Sequence, residues 1–209
     1  IKRSTQLREG WGASAQDVVV LLVGRLAKEK NVGLVISAFR AIQRVKPRTK
    51  LVFVGDGPLR QALQTSCPDA IFAGVQKGEA LAAHYASGDL FLFPSVTETF
   101  GNVVPEALAS GLALVSYASA AAQELITHGL NGMLVPANDE LQFISAAVGV
   151  AEDPATLTRL SQAAPASVAH LTWDTIYDNF VEHLTRVVDM GCTGFHTSAK
   201  SAAIAPINR

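Results

Sequence analysis

Cysteine and histidine are scarce in this sequence, so neither a disulfide framework nor a zinc site is expected to stabilise the fold. Its 209 residues include two cysteines, Cys67 and Cys192, too few for a disulfide framework or a cysteine-ligated metal site. The five histidines are isolated from one another, so no His-x-x-x-His or His-Cys pattern indicates zinc. We expect Cys67 to be a free thiol near the end of a helix, which suits a protein of the reducing cytoplasm.

Strong charge and long apolar runs are also absent. The 17 Lys and Arg residues nearly balance the 18 Asp and Glu residues, and this balance gives no support for nucleic-acid binding. No apolar run approaches the roughly 18 residues of a membrane-spanning helix. The N-terminus also lacks the apolar core that is typical of a signal peptide. We therefore expect a cytoplasmic protein without nucleic-acid partners.

What the sequence does contain is a regular alternation of apolar runs and amphipathic segments. Apolar runs predict strands at residues 17–23, 50–54, 70–73, 90–93, 112–116 and 132–136. Segments with helical spacing or helix boundary residues lie between them, at 31–45, 58–65, 79–87, 103–110 and 120–128. This alternation predicts a Rossmann-like α/β fold, a doubly wound parallel sheet with helices on both faces.

Polar and helical segments flank the predicted sheet. We expect a linker with a lead-in helix over 1–16, followed by the Rossmann-like domain over 17–171, which ends in helices at 139–151 and 153–171. A last amphipathic helix over 172–189 follows, with Thr172 as its N-cap. The final segment, 190–209, is rich in small and polar residues and predicts a flexible tail.

Loops that follow the predicted strands are the best place to look for a ligand. In an open parallel sheet, ligands bind beyond the carboxyl ends of the strands. Glycine-containing loops stand at this edge, at residues 24–31, 55–58, 74–78 and 94–102. In the first of these loops, Arg25 directly follows the strand-ending Gly24, and Lys30 lies five residues further on. An arginine can bind phosphate oxygens in a bidentate way, and a lysine adds a point charge.

The segment 94–111 predicts a helix start that can bind an anion. Because Pro105 is tolerated only in a first turn, the helix should begin near Gly101 to Val103, with Asn102 as a candidate N-cap. Gly111 suits the left-handed position after the helix. The backbone N–H groups of residues 101–104 are then free to bind an anion, and Gly101 allows a close approach.

Two carboxylates, Glu98 and Glu106, flank this helix start with seven residues between them. Either one alone is explained by the helix dipole, which favours acidic residues at that end. A carboxylate pair is also the catalytic equipment of glycoside hydrolases. A hydrolase does not explain the Gly24–Arg25 loop, nor a helix start suited to phosphate.

Together these residues resemble the retaining glycosyltransferases of family 4, which have the two-domain GT-B fold. The family segment P-S-x-x-E-x-F-G-x-x-x-x-E-A-x-A-x-G is matched by Pro94, Ser95, Glu98, Phe100, Gly101, Glu106, Ala107, Ala109 and Gly111. The family pattern G-R-L-x-x-x-K is matched by Gly24, Arg25, Leu26 and Lys30, and its G-x-G-P turn by residues 55–58. The sequence departs from the family at Pro105, at Leu112-Ala113 and at 119–124, where a glycine pair is common.

The resemblance implies a role for each candidate residue. Arg25 and Lys30, in the donor-binding loop that begins at Gly24, would hold the diphosphate of a sugar nucleotide. Glu106 would bind the ribose hydroxyls. Glu98 would lie at the donor sugar and, with Arg25 and Lys30, form the catalytic set. The family's nucleobase loop corresponds to Val75 and Gln76. Backbone groups near the helix start would contact sugar and phosphate, from Phe100, Gly101, Asn102 and Val103. No metal ligand and no cofactor is expected.

The implied function is that of the donor-binding half of a retaining glycosyltransferase. The domain over 17–171 would bind the nucleotide sugar. The donor would be a UDP- or GDP-sugar, and the acceptor hydroxyl could belong to a lipid, a glycan or a small molecule. An N-terminal GT-B domain would precede this chain, complete the cleft and account for any peripheral membrane attachment, so the chain alone should turn over little. Sugar-nucleotide epimerases share the GT-B fold, although the Glu-x7-Glu segment argues against them, and a non-catalytic nucleotide-binding module is the other alternative.

Overall fold

The computed structural model describes residues 2–195, and the predicted tail therefore lies outside the described residues from 196 to 209. A parallel sheet forms its centre, with strand order β3-β2-β1-β4-β5-β6. The strands are β1 (Val19–Val23), β2 (Lys50–Val54), β3 (Ile71–Gly74), β4 (Leu90–Phe93), β5 (Ala113–Tyr117) and β6 (Met133–Val135). The order reverses between β1 and β4, which is the doubly wound topology that the sequence predicts.

Helices connect the strands and continue after the sheet. They are α1 (Thr5–Gly10), α2 (Val32–Val45), α3 (Arg60–Ser66), α4 (Gly78–Ser87), α5 (Val103–Ala109), α6 (Ala120–Leu125), α7 (Glu140–Glu152), α8 (Pro154–Val168) and α9 (Trp173–Phe195). A first compact unit ends at Ala169, and a second unit, which contains α9, begins at His170. The side-chain hydroxyl of Thr172 accepts a hydrogen bond from the Thr175 N–H at 3.1 Å, so the predicted N-cap of α9 is confirmed.

The central strands are buried on both faces, which explains why they read as unbroken apolar runs. In β1, Val20 and Leu22 pack into a core that includes Phe39 of α2. Leu21 lies on the other face, where a Cβ added to Gly88 would come within 2.4 Å of its Cδ1. Parallel strands covered by helices on both sides lack the polar alternation of a half-exposed sheet.

Buried charge attaches the lead-in helix α1 to the sheet domain. Arg8 is 3% exposed and donates to the Asp89 carboxylate and to the Ser87 carbonyl, both at 2.9 Å. It also donates to the carbonyl oxygens of Ser14 and Asp17, at 2.7 and 2.6 Å. A buried guanidinium is stable only with such partners, so residues predicted as a linker and lead-in helix are an integral part of this unit.

Several predicted boundaries are wrong, each for a local reason. The strand predicted from Asp17 starts at Val19, because the Asp17 carboxylate instead accepts from Ser14 N–H and Arg48. Pro58 was predicted to open α3, which begins at Arg60 after a turn. Helix α6 ends at Leu125 rather than at residue 128, where the chain is already extended. Helix α9 extends beyond residue 189 to Phe195, into the predicted tail.

Candidate functional site

The strand-following loops meet at one edge of the sheet, as predicted. Gly24 and Gly55 end β1 and β2 with φ values of +143° and +137°, a region that favours glycine. Gly24 N–H donates to the Val54 carbonyl at 2.9 Å, and Gly55 N–H donates to the Gly74 carbonyl at 2.7 Å. A Cβ added to Gly55 would come within 2.0 Å of the Gly24 carbonyl oxygen. The first three loops are therefore packed backbone against backbone.

A cavity of about 270 Å³ opens between these loops. Its lining residues are Val23, Gly24, Arg25, Val54, Gly55, Asp56, Val75, Gln76 and Leu81. The structure thus brings together the predicted phosphate-loop residues Gly24 and Arg25 and the predicted base-loop residues Val75 and Gln76. Asp56 and Leu81 were not predicted as site residues, because a turn residue and an apolar helix residue give no chemical signal on their own.

Arg25 and Gln76 differ in how they are held at the cavity. The Arg25 side chain is 68% exposed, and its guanidinium lies 3.8 Å from the Glu29 carboxylate, an exposed ion pair that contributes little to stability. The Gln76 amide donates to the Ala73 carbonyl at 2.7 Å, which orients the amide group. Arg25 can therefore turn towards an anionic ligand, whereas Gln76 presents its amide oxygen in a defined direction.

Lys30 and Glu98, predicted to contact different parts of one donor, form an ion pair with each other. Their side chains are only 18% and 12% exposed. The Lys30 ammonium also lies 5.6 Å from the centroid of the Phe93 ring, a cation–π geometry. The first loop and the loop after β4 are thus joined by charge, and a diphosphate bound by Lys30 would share this cation with Glu98.

Ser95 is a partner of Glu98 that the sequence analysis missed. Its buried hydroxyl lies 2.6 Å from the Glu98 carboxylate and 3.2 Å from the Glu29 carbonyl oxygen. Because the shorter contact is to a charged acceptor, the hydroxyl proton is donated to Glu98. The sequence gives no signal for this contact, because residues 95–98 lie in a loop, where sequence spacing does not fix which side chains meet.

The start of α5 differs in detail from the prediction. Asn102 occupies the predicted N-cap position, but its φ of −52° is helical and its side chain forms no capping hydrogen bond. Val104 N–H already donates to the Gly101 carbonyl at 2.9 Å and is not free for an anion. Gly101 has a φ of +88°, and Gly111 has the predicted left-handed φ of +72°. The donors left at this helix start are the backbone N–H groups of residues 101–103.

The loop before α5 is also fixed by its neighbours. The Phe100 carbonyl accepts from Ala121 N–H at 2.9 Å, which joins this loop to the start of α6. Ala120, in the segment where the resembled family commonly has glycines, adopts a φ of +45°. That is the left-handed region in which alanine is strained and glycine is not. Ala120 therefore adopts a strained backbone conformation at the place where the sequence departs from the family.

Glu106 lies in the first turn of α5 and is exposed, but one of its oxygens has a buried partner. The Tyr85 hydroxyl of α4 donates to the carboxylate at 2.8 Å. Tyr85 is 2% exposed, and burial, followed by the nearby charge of Glu106, raises the pKa of its phenol above the ordinary value. The phenol therefore stays protonated and remains a donor at neutral pH. The sequence analysis gave Tyr85 no functional role.

The structure also describes the Cys67 thiol, which lies at the end of a helix, and bears on metal sites and membrane-spanning helices. Cys67 is a buried free thiol at the end of α3, as predicted, and burial raises its pKa. Within residues 2–195, no three His, Cys, Asp or Glu side chains cluster so that they could hold a metal ion. In the same range, none of the helices combines the length and apolar character needed to cross a bilayer.

The amino-acid sequence of this chain is similar to those of known proteins. A family model described as glycosyl transferases group 1 matches residues 17–153. The chain is 36% identical to a GDP-mannose-dependent alpha-mannosyltransferase of Corynebacterium glutamicum, covering 97% of this chain and 49% of the relative. It is 32% identical to the sulfoquinovosyl transferase SQD2 of Arabidopsis thaliana, over 74% of this chain and 31% of the relative. The chain therefore spans about half, or less, of the length of these curated relatives.

Solved structures with a similar fold include HepE of Anabaena and a domain from Francisella tularensis. HepE of Anabaena, crystallised with UDP-glucose, superposes with a TM-score of 0.75 and 25% identity, over 88% of this chain and 54% of HepE. The C-terminal domain of a glycosyl transferase group 1 family protein (LpcC) from Francisella tularensis has a TM-score of 0.70 and 19% identity. That match covers 81% of this chain and 94% of the Francisella domain. The predicted Rossmann-like fold is confirmed by the strand order of the parallel sheet and by its superposition on these structures.

Proposed function

Because the chain belongs to the glycosyl transferases group 1 family, we propose that it is the donor-binding half of a sugar-transferring enzyme. The enzyme would move a sugar from a nucleoside-diphosphate sugar to an acceptor hydroxyl. The observation that carries this proposal is the set of charged residues in the loops that follow β1 and β4. Arg25 lines the cavity, and Lys30 is paired with Glu98 on the neighbouring loop. A cation-lined edge beside carboxylates suits a ligand that has both phosphate and hydroxyl groups.

In this proposal Arg25 and Lys30 form a phosphate clamp, a name used here for these two residues. A diphosphate carries negative charge that grows when it leaves the sugar, and two cations stabilise that growth. The backbone N–H groups of residues 101–103 lie on the neighbouring loop and add neutral donors. The clamp supplies cationic charge from side chains, so we propose transfer that needs no metal, which an assay in the presence of a chelator would test.

The remaining site residues would each contact one part of the donor, which is the transferred sugar, the ribose or the nucleobase. Glu98 accepts hydrogen bonds from donor-sugar hydroxyls once a ligand reaches it, and we propose retention at the anomeric carbon, as in the resembled family. Glu106 accepts hydrogen bonds from the ribose hydroxyls, for which an acceptor-only carboxylate is well suited. Val75 and Gln76 contact the nucleobase at the cavity wall.

The names of a relative and a structural neighbour support a nucleoside-diphosphate sugar as the donor. The corynebacterial relative is named as GDP-mannose-dependent, and HepE was crystallised with UDP-glucose. These names support a GDP- or UDP-sugar as donor for this chain as well. A lipid, a glycan or a small molecule could supply the acceptor hydroxyl.

Transfer itself is proposed for a longer protein. The chain spans 49% of the length of the corynebacterial relative, and we propose that an N-terminal domain supplies the acceptor side of the cleft. The 209-residue chain alone would then bind nucleotide and transfer little. A cytoplasmic location, peripheral at a membrane if the acceptor is a lipid, is part of the same proposal.

Titration of nucleoside diphosphates against the phosphate clamp tests this function. GDP, UDP and ADP are titrated by calorimetry against the wild-type chain and the Arg25→Ala variant. Hydrogen bonds to charged groups contribute about 1.5–3 kcal/mol, so the variant should bind the preferred nucleotide about tenfold or more weakly. Arg44→Ala is the matched control, because Arg44 is also an exposed arginine but lies in the last turn of α2, at the other edge of the sheet.

The outcomes separate the candidate functions. Equal binding to wild type and Arg25→Ala would remove the clamp from the proposal. Nucleotide binding without sugar transfer by the full-length protein, even with acceptors added, would favour a non-catalytic binding module. Release of nucleoside diphosphate without any acceptor would favour hydrolysis or epimerase-like chemistry.

A further inference from the structure

A buried tyrosine contacts the carboxylate that the proposed function assigns to the ribose. Tyr85 of α4 is 2% exposed, and its ring packs 6.0 Å from the ring of Phe91 in β4. Its hydroxyl donates to Oε2 of Glu106 at 2.8 Å, across 21 residues of sequence. The contact joins the middle of the domain to the first turn of α5.

We propose that Tyr85 is a positioning residue for ribose recognition, whose phenol fixes one oxygen of Glu106 and leaves the other for the ribose hydroxyls. The inference rests on the proposed function, since it needs Glu106 to bind a ribose. Tyr85 acts through Glu106 in this account and does not itself have to touch the ligand.

The chemistry of the pair allows this division of labour. An ionised carboxylate has about four acceptor positions on two oxygens, and a phenol uses one of them. Burial and the charge of Glu106 raise the pKa of the Tyr85 phenol, so its proton stays in place at neutral pH. Glu106 therefore keeps most of its accepting capacity for a ligand.

The packing makes the position of Glu106 dependent on the cavity wall. Leu81 lines the cavity one helical turn before Tyr85 on α4. The helix that shapes the cavity is thus the same one that holds the carboxylate. An exposed glutamate without such a partner samples several rotamers, and a ligand has to select one of them at an entropic cost. The phenol makes that selection before the ligand arrives.

The test compares ribonucleotides with dideoxyribonucleotides on the same protein samples. GDP, UDP and their 2′,3′-dideoxy forms are titrated by calorimetry against the 209-residue chain and the Tyr85→Phe variant. We expect wild type to prefer the better ribonucleotide over its dideoxy form about tenfold, and Tyr85→Phe to prefer it about threefold or less. The ratio of two Kd values from one sample is insensitive to any unfolded fraction, so a merely structural role of Tyr85 would not change it.

Tyr117→Phe is the matched control. Tyr117 is a tyrosine buried at 0% exposure, and its hydroxyl finds no hydrogen-bond partner within residues 2–195. Loss of that hydroxyl should leave the ribose preference at the wild-type value. A second variant, Tyr85→Met, removes the phenol and fills the buried space with a flexible side chain, and it replaces Tyr85→Phe if that variant does not fold.

Each outcome decides one of the two proposals. A wild-type preference that Tyr85→Phe and Tyr85→Met retain overturns the positioning role and leaves the proposed function intact. Equal binding of ribo- and dideoxyribonucleotides to wild type overturns the role of Glu106 and, with it, the inference. No nucleotide binding to wild type overturns the proposed function itself.

Discussion

Replacement of Glu98 by glutamine should strengthen the binding of a nucleoside diphosphate while it destabilises the fold. In the ligand-free chain the Lys30 ammonium is paired with the Glu98 carboxylate, so a diphosphate has to share or displace this partner. Glutamine has the same shape without the charge, and the Ser95 hydroxyl can still donate to its amide oxygen. The variant therefore removes the competing anion and little else.

The two magnitudes follow from the burial of the pair. Side-chain exposures of 18% for Lys30 and 12% for Glu98 place it between an exposed ion pair and a fully buried one. Loss of the carboxylate should then cost about 2 kcal/mol, between the ~0–1 kcal/mol of exposed pairs and the 3–5 kcal/mol of buried ones. Unit charges 4 Å apart interact by about 4 kcal/mol at an effective dielectric constant of 20. Since rehydration of Lys30 offsets most of this, we expect about fivefold tighter diphosphate binding.

Urea unfolding measures the first effect, and calorimetric titration with GDP and UDP measures the second. Glu29→Gln is the matched control, because it removes an equal charge from the neighbourhood of the other clamp residue. The Glu29 carboxylate is 41% exposed and 3.8 Å from Arg25, so both its effects should be small. If Glu98→Gln binds diphosphate no better than Glu29→Gln, Lys30 is not restrained by Glu98 and the reasoning is wrong.

Two further predictions concern stability. Gly55→Ala should destabilise the domain by about 3 kcal/mol more than Gly24→Ala in urea unfolding. Both glycines have a positive φ, but only the Cβ at residue 55 would meet backbone, 2.0 Å from the Gly24 oxygen. Similar losses of stability in the two variants would contradict the packing of these loops. The side-chain hydrogen bond from Arg48 holds the pKa of the Asp17 carboxyl well below its usual range. The ionised Asp17 carboxylate therefore stabilises the fold above the unfolded pKa of about 3.9, and this stabilisation is lost as pH falls towards the folded pKa. The free energy of unfolding should therefore fall more steeply with acidification below about pH 4.5 in wild type than in Asp17→Asn, and equal slopes would refute this assignment.

The strands, their parallel arrangement and the sheet edge where the strand-following loops meet could be predicted because they depend on local patterns. A strand such as β4 is buried on both faces, so its four residues are all apolar and stand out in the sequence. Strand-ending glycines at positions 24 and 55 mark the edge where loops approach each other closely. Parallel strands then bring these loops together whatever the details of the helices.

Contacts between distant side chains could not be predicted in this way. The pairing of Lys30 with Glu98 joins residues 68 apart, and that of Tyr85 with Glu106 joins residues 21 apart. Neither sequence separation follows from the regular spacing of residues within one helix or strand. Each pair therefore depends on how loops and helices pack against the sheet. The N-cap position of α5 at Asn102 was predicted correctly, but its side chain forms no capping hydrogen bond, because the backbone is already helical there.

The close packing of Gly24 against Gly55 limits how this protein could acquire a different donor preference. A side chain at residue 55 would occupy the space of a neighbouring peptide group, so that part of the pocket floor cannot be redesigned by substitution. In the proposed function, changes in base recognition would then fall on Val75, which also lines the cavity and is 61% exposed. Directed evolution of donor choice should accordingly begin with a library at residues 75 and 76.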